Sequence, residues 1–169
     1  GQDKRESSPR IAAAVAIGAA SEGVSVIDCG VLPTPAMAGA ALRAGTVSIM
    51  VTGSHIPADR NGLKFYSSKG EFTKEDEVPL AEAVAKRGVP VASSAMDFTA
   101  VPRDHYVARY VEGFPDGSLA GRRVGVWLHS SAASEVLPEI LAGLGAEVVT
   151  LGASPSFVPV DTEAVDAGT

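Results

Sequence analysis

The sequence predicts an α/β fold with at least partly parallel sheets, and two observations carry that expectation. Segments rich in β-branched residues alternate with helix-spaced segments in the order strand, helix, strand, helix, strand, twice over. The 169 residues are 46% hydrophobic and 20% charged, which excludes a mainly disordered chain and fits one domain or one domain plus part of another.

Each element has a local reason. Ser8-Pro9 reads as a helix start, with Ser8 as cap and Pro9 at the first helical position, where a missing N–H costs nothing. Ile11, Val15 and Gly18 then share a face, and Gly23 ends the segment. Val24 to Cys29 reads as a strand. Thr34-Pro35 repeats the cap logic, with Thr34 as N-cap of a small-residue helix that runs to about Arg43 and stops at Gly45. Thr46 to Thr52 alternates Val47, Ile49 and Val51 and reads as a strong strand. Gly53 to Gly62 is a loop, Leu63 to Tyr66 a short strand, and Ser67 to Gly70 a turn.

Thr73 and Asp76 have capping-box spacing, and Ala81 to Arg87 reads as helical, with Pro79 obscuring its start. Residues 89–101 are irregular and close the first unit. Arg103 to Gly113 carries Tyr106, Val107, Tyr110 and Val111 at helical spacing. Val124 to Leu128 is a strand and Ala146 to Leu151 another. Between them Ser134 to Leu144 forms a helix burying Val136, Leu137, Ile140, Leu141 and Leu144.

Composition excludes several functions. The net charge of −6 and pI near 5.0 argue against nucleic acid as the main partner. No stretch reaches the ~18 unbroken apolar residues of a membrane helix. The polar start, Gly1 to Glu6, lacks the apolar core of a signal peptide, and the lone Cys29 forms no internal disulfide framework. A soluble, cytoplasmic protein is expected.

The most informative stretch runs from Thr52 through Ser54-His55-Ile56-Pro57 to Asn61-Gly62-Leu63-Lys64, directly after the strong strand. In open α/β folds, sites lie in loops beyond the carboxyl ends of strands. Ser54 offers a nucleophile or phosphate carrier, His55 a proton acceptor near neutral pH, and Lys64 a countercharge for phosphate. Taken singly, each is more often a turn former or a solvated side chain; their joint placement gives the signal. Ser54 lacks the flanking glycines of a nucleophile elbow, and Gly62-Leu63-Lys64-Phe65 is not a nucleotide-hydrolase phosphate loop. His55, His105 and His129 have no metal-ligand spacing, and Cys29 reads as core.

These residues closely resemble the phosphoserine loop of the α-D-phosphohexomutases, the phosphoglucomutase and phosphomannomutase group. The usual form there is Thr-Ala-Ser-His-Asn-Pro followed by Asn-Gly-x-Lys; Gly53 and Ile56 depart from it. Gly1 to Ser8 is similar to the family's Gly-x-Asp-x-Arg-x-Ser turn, and Asp28 to Ala36 to its Gly-x-x-x-Thr-Pro segment. Val124 to Leu151 looks like the opening strand–helix–strand of its second domain.

The resemblance implies a three-layer α/β/α domain with a mixed, largely parallel sheet over residues 1–101, lacking its first strand, then an incomplete second α/β domain of similar type over 102–169. It implies a mutase, with the phosphomannomutase type favoured, that interconverts hexose 6-phosphate and hexose 1-phosphate. The phosphoryl group would pass from Ser54 to the sugar and back through a hexose bisphosphate. His55 and Lys64 would assist, and Mg²⁺ would be bound in part through the Ser54 phosphate. Asp3, Arg5, Thr34, Asn61 and Gly62 would support the loop. The family's Asp-x-Asp-x-Asp metal loop is not found in this sequence, so the expected reading is an inactive portion of an enzyme whose other partners are its remaining domains. The alternative is a non-catalytic phosphate-binding or interaction module on the same fold.

Overall fold

The computed structural model describes residues 1–86 and 97–159. The elements in order are α1 (Ser8–Ser21), β1 (Ile27–Asp28), α2 (Thr34–Ala44), β2 (Ser48–Val51), β3 (Leu63–Ser67), β4 (Gly70–Glu71), α3 (Lys74–Lys86), β5 (Asp97–Phe98), α4 (Val101–Val111), β6 (Arg123–His129), α5 (Val136–Gly143) and β7 (Glu147–Ala153). The expected α/β class holds, with both parallel and antiparallel pairing. β1 pairs with β5 in parallel, β2–β3–β4 is antiparallel, and β6 pairs with β7 in parallel.

The first residues stitch the front half together. Gln2 forms parallel bridges to Val31 on one side and Val51 on the other. Its amide donates to Gly30 O at 3.0 Å, and the Asp3 amide donates to Val51 O at 2.9 Å. This threading sets Asp3 and Arg5 beside the end of β2, where the serine loop begins.

Two apolar clusters hold the chain. Leu32, Ala36, Met37, Ala41, Met50 and Tyr66 form the first, between α2 and the β2–β3 hairpin. Val107, Val136, Ile140 and Leu144 form the second, between α4 and α5. Tyr106 packs against both, so α4 couples the halves. Burial, helped by a hydrogen bond with Tyr110, pushes the Tyr106 phenol up to about 12.

Several sequence expectations are corrected. Thr34 is not the N-cap of α2: Pro33 holds that position with extended backbone, and no side chain caps the helix. Proline offers no side-chain acceptor, and Thr34 is already helical. Ser8 is likewise the first residue of α1 rather than its cap, and its hydroxyl is taken by Asp3. The strand expected over Val24 to Cys29 shrinks to β1, with Val24 and Ile27 more than half exposed, because β propensity needs a partner strand to express itself. α3 begins seven residues before the expected Ala81: the Thr73 amide and hydroxyl both donate to Asp76 Oδ2, a capping box that starts the helix ahead of Pro79. Leu137 is 41% exposed rather than buried. Gly45 stops α2 as expected, at φ 61°. Arg87 and the irregular stretch over 89–96 lie outside the described residues. Among the described residues no helix is long and apolar enough to cross a membrane.

Candidate active site

The serine loop is an eleven-residue excursion between β2 and β3, residues 52–62, whose ladder pairs Val51 with Leu63. Its neck closes where the Thr52 amide donates to Gly62 O at 3.0 Å. Gly62 permits that approach, since a Cβ there would meet Thr52 O at 3.0 Å. Above the neck run two tight turns, Ile56 N to Gly53 O and Arg60 N to Pro57 O, each 3.0 Å.

A loop this long needs partners for its inward carbonyls, and one side chain supplies them. The Arg5 guanidinium, 2% exposed, donates from Nη1 to Pro57 O (2.8 Å) and Arg60 O (3.0 Å), and from Nη2 to Ser54 O (3.1 Å) and Ile56 O (2.8 Å). The planar fork of arginine suits this task, and a lysine ammonium has no equivalent geometry. Arg5 Nε faces Asp3 Oδ2 at 3.4 Å without a hydrogen bond of its own.

Asp3 completes the foundation. Its Oδ1 accepts from the Arg5 amide (3.0 Å) and the Ser8 hydroxyl (2.5 Å). Its Oδ2 accepts from the Thr52 hydroxyl (2.9 Å) and the Gly53 amide (3.3 Å). Asn61 braces the far side, donating from Nδ2 to Ser7 Oγ (3.0 Å) and Ser8 Oγ (2.8 Å) while its Oδ1 accepts from the Gly62 amide. Asp3, Arg5, Asn61 and Gly62 thus all lie in or against the loop, whereas Thr34 lies on α2 with no side-chain bond to it.

On this base Ser54 and His55 are exposed. Ser54 adopts φ 50°, one of two described non-glycine residues in the left-handed region. That conformation costs on the order of 1–3 kcal/mol and persists only where the surroundings impose it. Here the Thr52 hydroxyl accepts from the Ser54 amide (3.1 Å) and Arg5 holds its carbonyl. Neither the Ser54 hydroxyl nor the His55 ring has a side-chain hydrogen bond to a described residue. Lys64 is not gathered to them: it sits on β3 opposite Met50, and its ammonium lies 3.5 Å from the Glu71 carboxylate.

Sequence reasoning missed three contributors. Thr52 holds both Asp3 and the Ser54 amide. The ring of Phe157 lies 4.6 Å from the Arg5 guanidinium carbon. Ser130, 7% exposed, anchors the segment that carries Phe157. A hydroxyl after the strong strand was available as a signal for Thr52; Phe157 lies outside any period. Beside the loop, Lys4, Glu6, Ala58, Ser156, Phe157 and Pro159 line a cavity of about 390 Å³. Among the described residues no group of three or more His, Cys, Asp or Glu is placed to hold a metal ion.

Comparison with known proteins gives a consistent picture. Residues 1–89 match the family described as phosphoglucomutase/phosphomannomutase, alpha/beta/alpha domain I. A phosphomannomutase from Sinorhizobium fredii is 44% identical over the whole of this chain, and one from Salmonella muenchen 42% identical over 96% of it. A phosphoglucosamine mutase from Kineococcus radiotolerans is 36% identical over 95% of the chain. The chain spans 37%, 34% and 38% of these relatives' lengths, respectively. A solved phosphoglucomutase/phosphomannomutase family protein from Burkholderia thailandensis superposes with TM-score 0.72 at 26% identity, covering 97% of this chain and 36% of that one. A solved chain from Thermus thermophilus shares the fold, with TM-score 0.74 at 22% identity over 89% of this chain and 36% of its own.

Proposed function

The chain belongs to the phosphoglucomutase/phosphomannomutase family, and on that footing we propose that its serine loop carries the phosphoryl group of a phosphomannomutase-type hexose phosphate mutase. The observation that supports this most is Ser54 itself: an exposed hydroxyl on left-handed backbone, on a loop braced from beneath by a buried arginine. Held strain of this kind collects at functional sites.

In the proposed cycle the bond between phosphorus and Ser54 Oγ breaks as a hydroxyl of a hexose monophosphate bonds to phosphorus. The sugar hydroxyl gives up its proton and Ser54 Oγ gains one, with His55, the neighbouring imidazole, as the group suited to carry it. The bisphosphorylated sugar then returns its other phosphoryl group to Ser54. The loop's part is to fix the reacting oxygen, since phosphoryl transfer depends on position and charge neutralisation. Lys64 would supply countercharge after leaving Glu71, at little cost because exposed pairs are worth about 0–1 kcal/mol. Bound Mg²⁺ would polarise the phosphoryl oxygens. The one contribution we assign to this chain is an oxygen of the Ser54 phosphate.

We further read residues 1–101 and 102–169 as parts of two domains, a division supported by the two apolar clusters. The partners we assign are hexose phosphate, hexose bisphosphate and further domains of the same protein, in the cytoplasm. The 169 residues alone should not turn over hexose phosphates, a reading supported by the 37% of its relative's length that the chain spans.

Intact-mass measurement on the longest natural chain carrying this sequence should show one phosphate on Ser54, and Ser54→Ala should abolish interconversion of mannose 6-phosphate and mannose 1-phosphate. Full activity in the Ala variant overturns the proposal. Phosphate binding without a phosphoserine or turnover would favour a non-catalytic module.

A further inference from the structure

We propose that Phe157 is a positioning residue for the Ser54 loop, acting through the buried Arg5 guanidinium. The argument begins with how Arg5 is used. Its Nη donors are spent in the plane of the fork on four loop carbonyls, and Nε is turned to Asp3. With its donors so engaged, the guanidinium carbon lies over the Phe157 ring, 4.6 Å from its centroid. An aromatic face attracts a cation most strongly where water is excluded, and Arg5 is 2% exposed.

Phe157 is itself held in place. The Ser130 hydroxyl accepts from the Val158 amide at 3.0 Å and lies 3.3 Å from the Val158 carbonyl, fixing the residue next to Phe157 from both sides. The Ser154 amide donates to His129 O at 3.0 Å, tying the segment's start to the end of β6. An independent tie runs alongside, from Lys4 Nζ to Ser134 Oγ at 2.7 Å. The end of β6 thus determines where Phe157 sits, Phe157 covers Arg5, and Arg5 shapes the loop. Placement of the second half is transmitted to Ser54 by this chain of contacts.

Hydrogen exchange on the longest natural chain carrying this sequence tests the inference. Phe157→Ala should speed exchange of the Ser54, Ile56 and Arg60 amides by about tenfold or more, the scale of a desolvated cation–π contact. The β2 and β3 amides should stay unchanged. Phe157→Tyr should restore protection, and Phe157→Leu, apolar without a π face, should not. Restoration by Leu, unchanged loop exchange in the Ala variant, or equal acceleration of β2 and β3 in both the Ala and Leu variants would overturn the proposal. A catalytic arm rests on the mutase reading: Phe157→Ala should lower kcat with little change in KM, again rescued by Tyr. If Ser54 carries no phosphate, the mutase reading fails while the exchange experiment still decides the role of Phe157.

Discussion

The serine-loop cradle and the α4–α5 unit solve the problem of stability in opposite ways. In the cradle, a partly buried ion pair and a mesh of backbone bonds do the holding: Asp3 and Arg5 between them engage Thr52, Gly53, Ser54, Ile56, Pro57 and Arg60. In the α4–α5 unit, Val107, Val136, Ile140 and Leu144 meet as plain hydrocarbon. Hydrocarbon packing tolerates exchange of one apolar residue for another of similar volume. A polar cradle does not, because each removed partner strands another buried group. The difference teaches where precision is needed: the chain uses directional contacts under Ser54 and non-directional ones in the rear.

The sharpest way to break this contrast is to remove the cation. Arg5→Met should destabilise the protein by about 3–5 kcal/mol in urea unfolding, since four loop carbonyls would lose their donor and the partly buried Asp3 its countercharge. A loss under about 1 kcal/mol would mean that the pair holds little. Next, Ile140→Ala should cost about 3 kcal/mol through the cavity it leaves, yet leave hydrogen exchange in residues 53–60 unchanged if the regions are separable in this respect. Gly53→Ala should cost about 2 kcal/mol, because the added Cβ would run into the Arg5 guanidinium, whose hydrogen bonds prevent it from swinging away. Lys64→Met should change stability by less than about 1 kcal/mol, its pair with Glu71 being half-exposed, and so separate any fall in activity from folding.

The smallest effect is a pH response at the surface. Hydrogen bonds from the Thr73 backbone and side chain hold the Asp76 carboxyl below its ordinary 3.8. A lowered folded pKa favours the folded start of α3 above the ordinary carboxylate value. That contribution is lost as pH falls through the lowered one. An NMR titration should therefore show the first turn of α3 fraying in acid, as the Asp76 carboxyl takes up its proton.

The same contrast explains what the sequence made legible. Helical periodicity found α4 and α5 because burial of hydrocarbon repeats about every 3.6 residues in a helix, while β6 and β7 stood out as short apolar runs. It missed the role of Phe157, since a single ring over a distant cation has no period. Local rules read Gly45 and the Thr73–Asp76 box correctly, where the signal and its consequence lie within one turn. They failed at Thr34 and Ser8, where neighbouring structure took over: Pro33 occupies the cap, and Asp3 captures the hydroxyl. The loop was found through its motif, whereas its contacts with the far-separated Asp3, Arg5, Ser7 and Ser8 are displayed by no single segment.

One consequence of the Arg5 clamp concerns the loop's electrical polarity. No cis peptide occurs among the described residues, and in a trans peptide the C=O and N–H point in opposite directions. Turning the carbonyls of Ser54, Pro57 and Arg60 inward therefore turns the N–H groups of His55, Ala58 and Asn61 outward. A hidden cation, by claiming the negative ends of these dipoles, leaves their positive ends on the side of the loop that faces solvent.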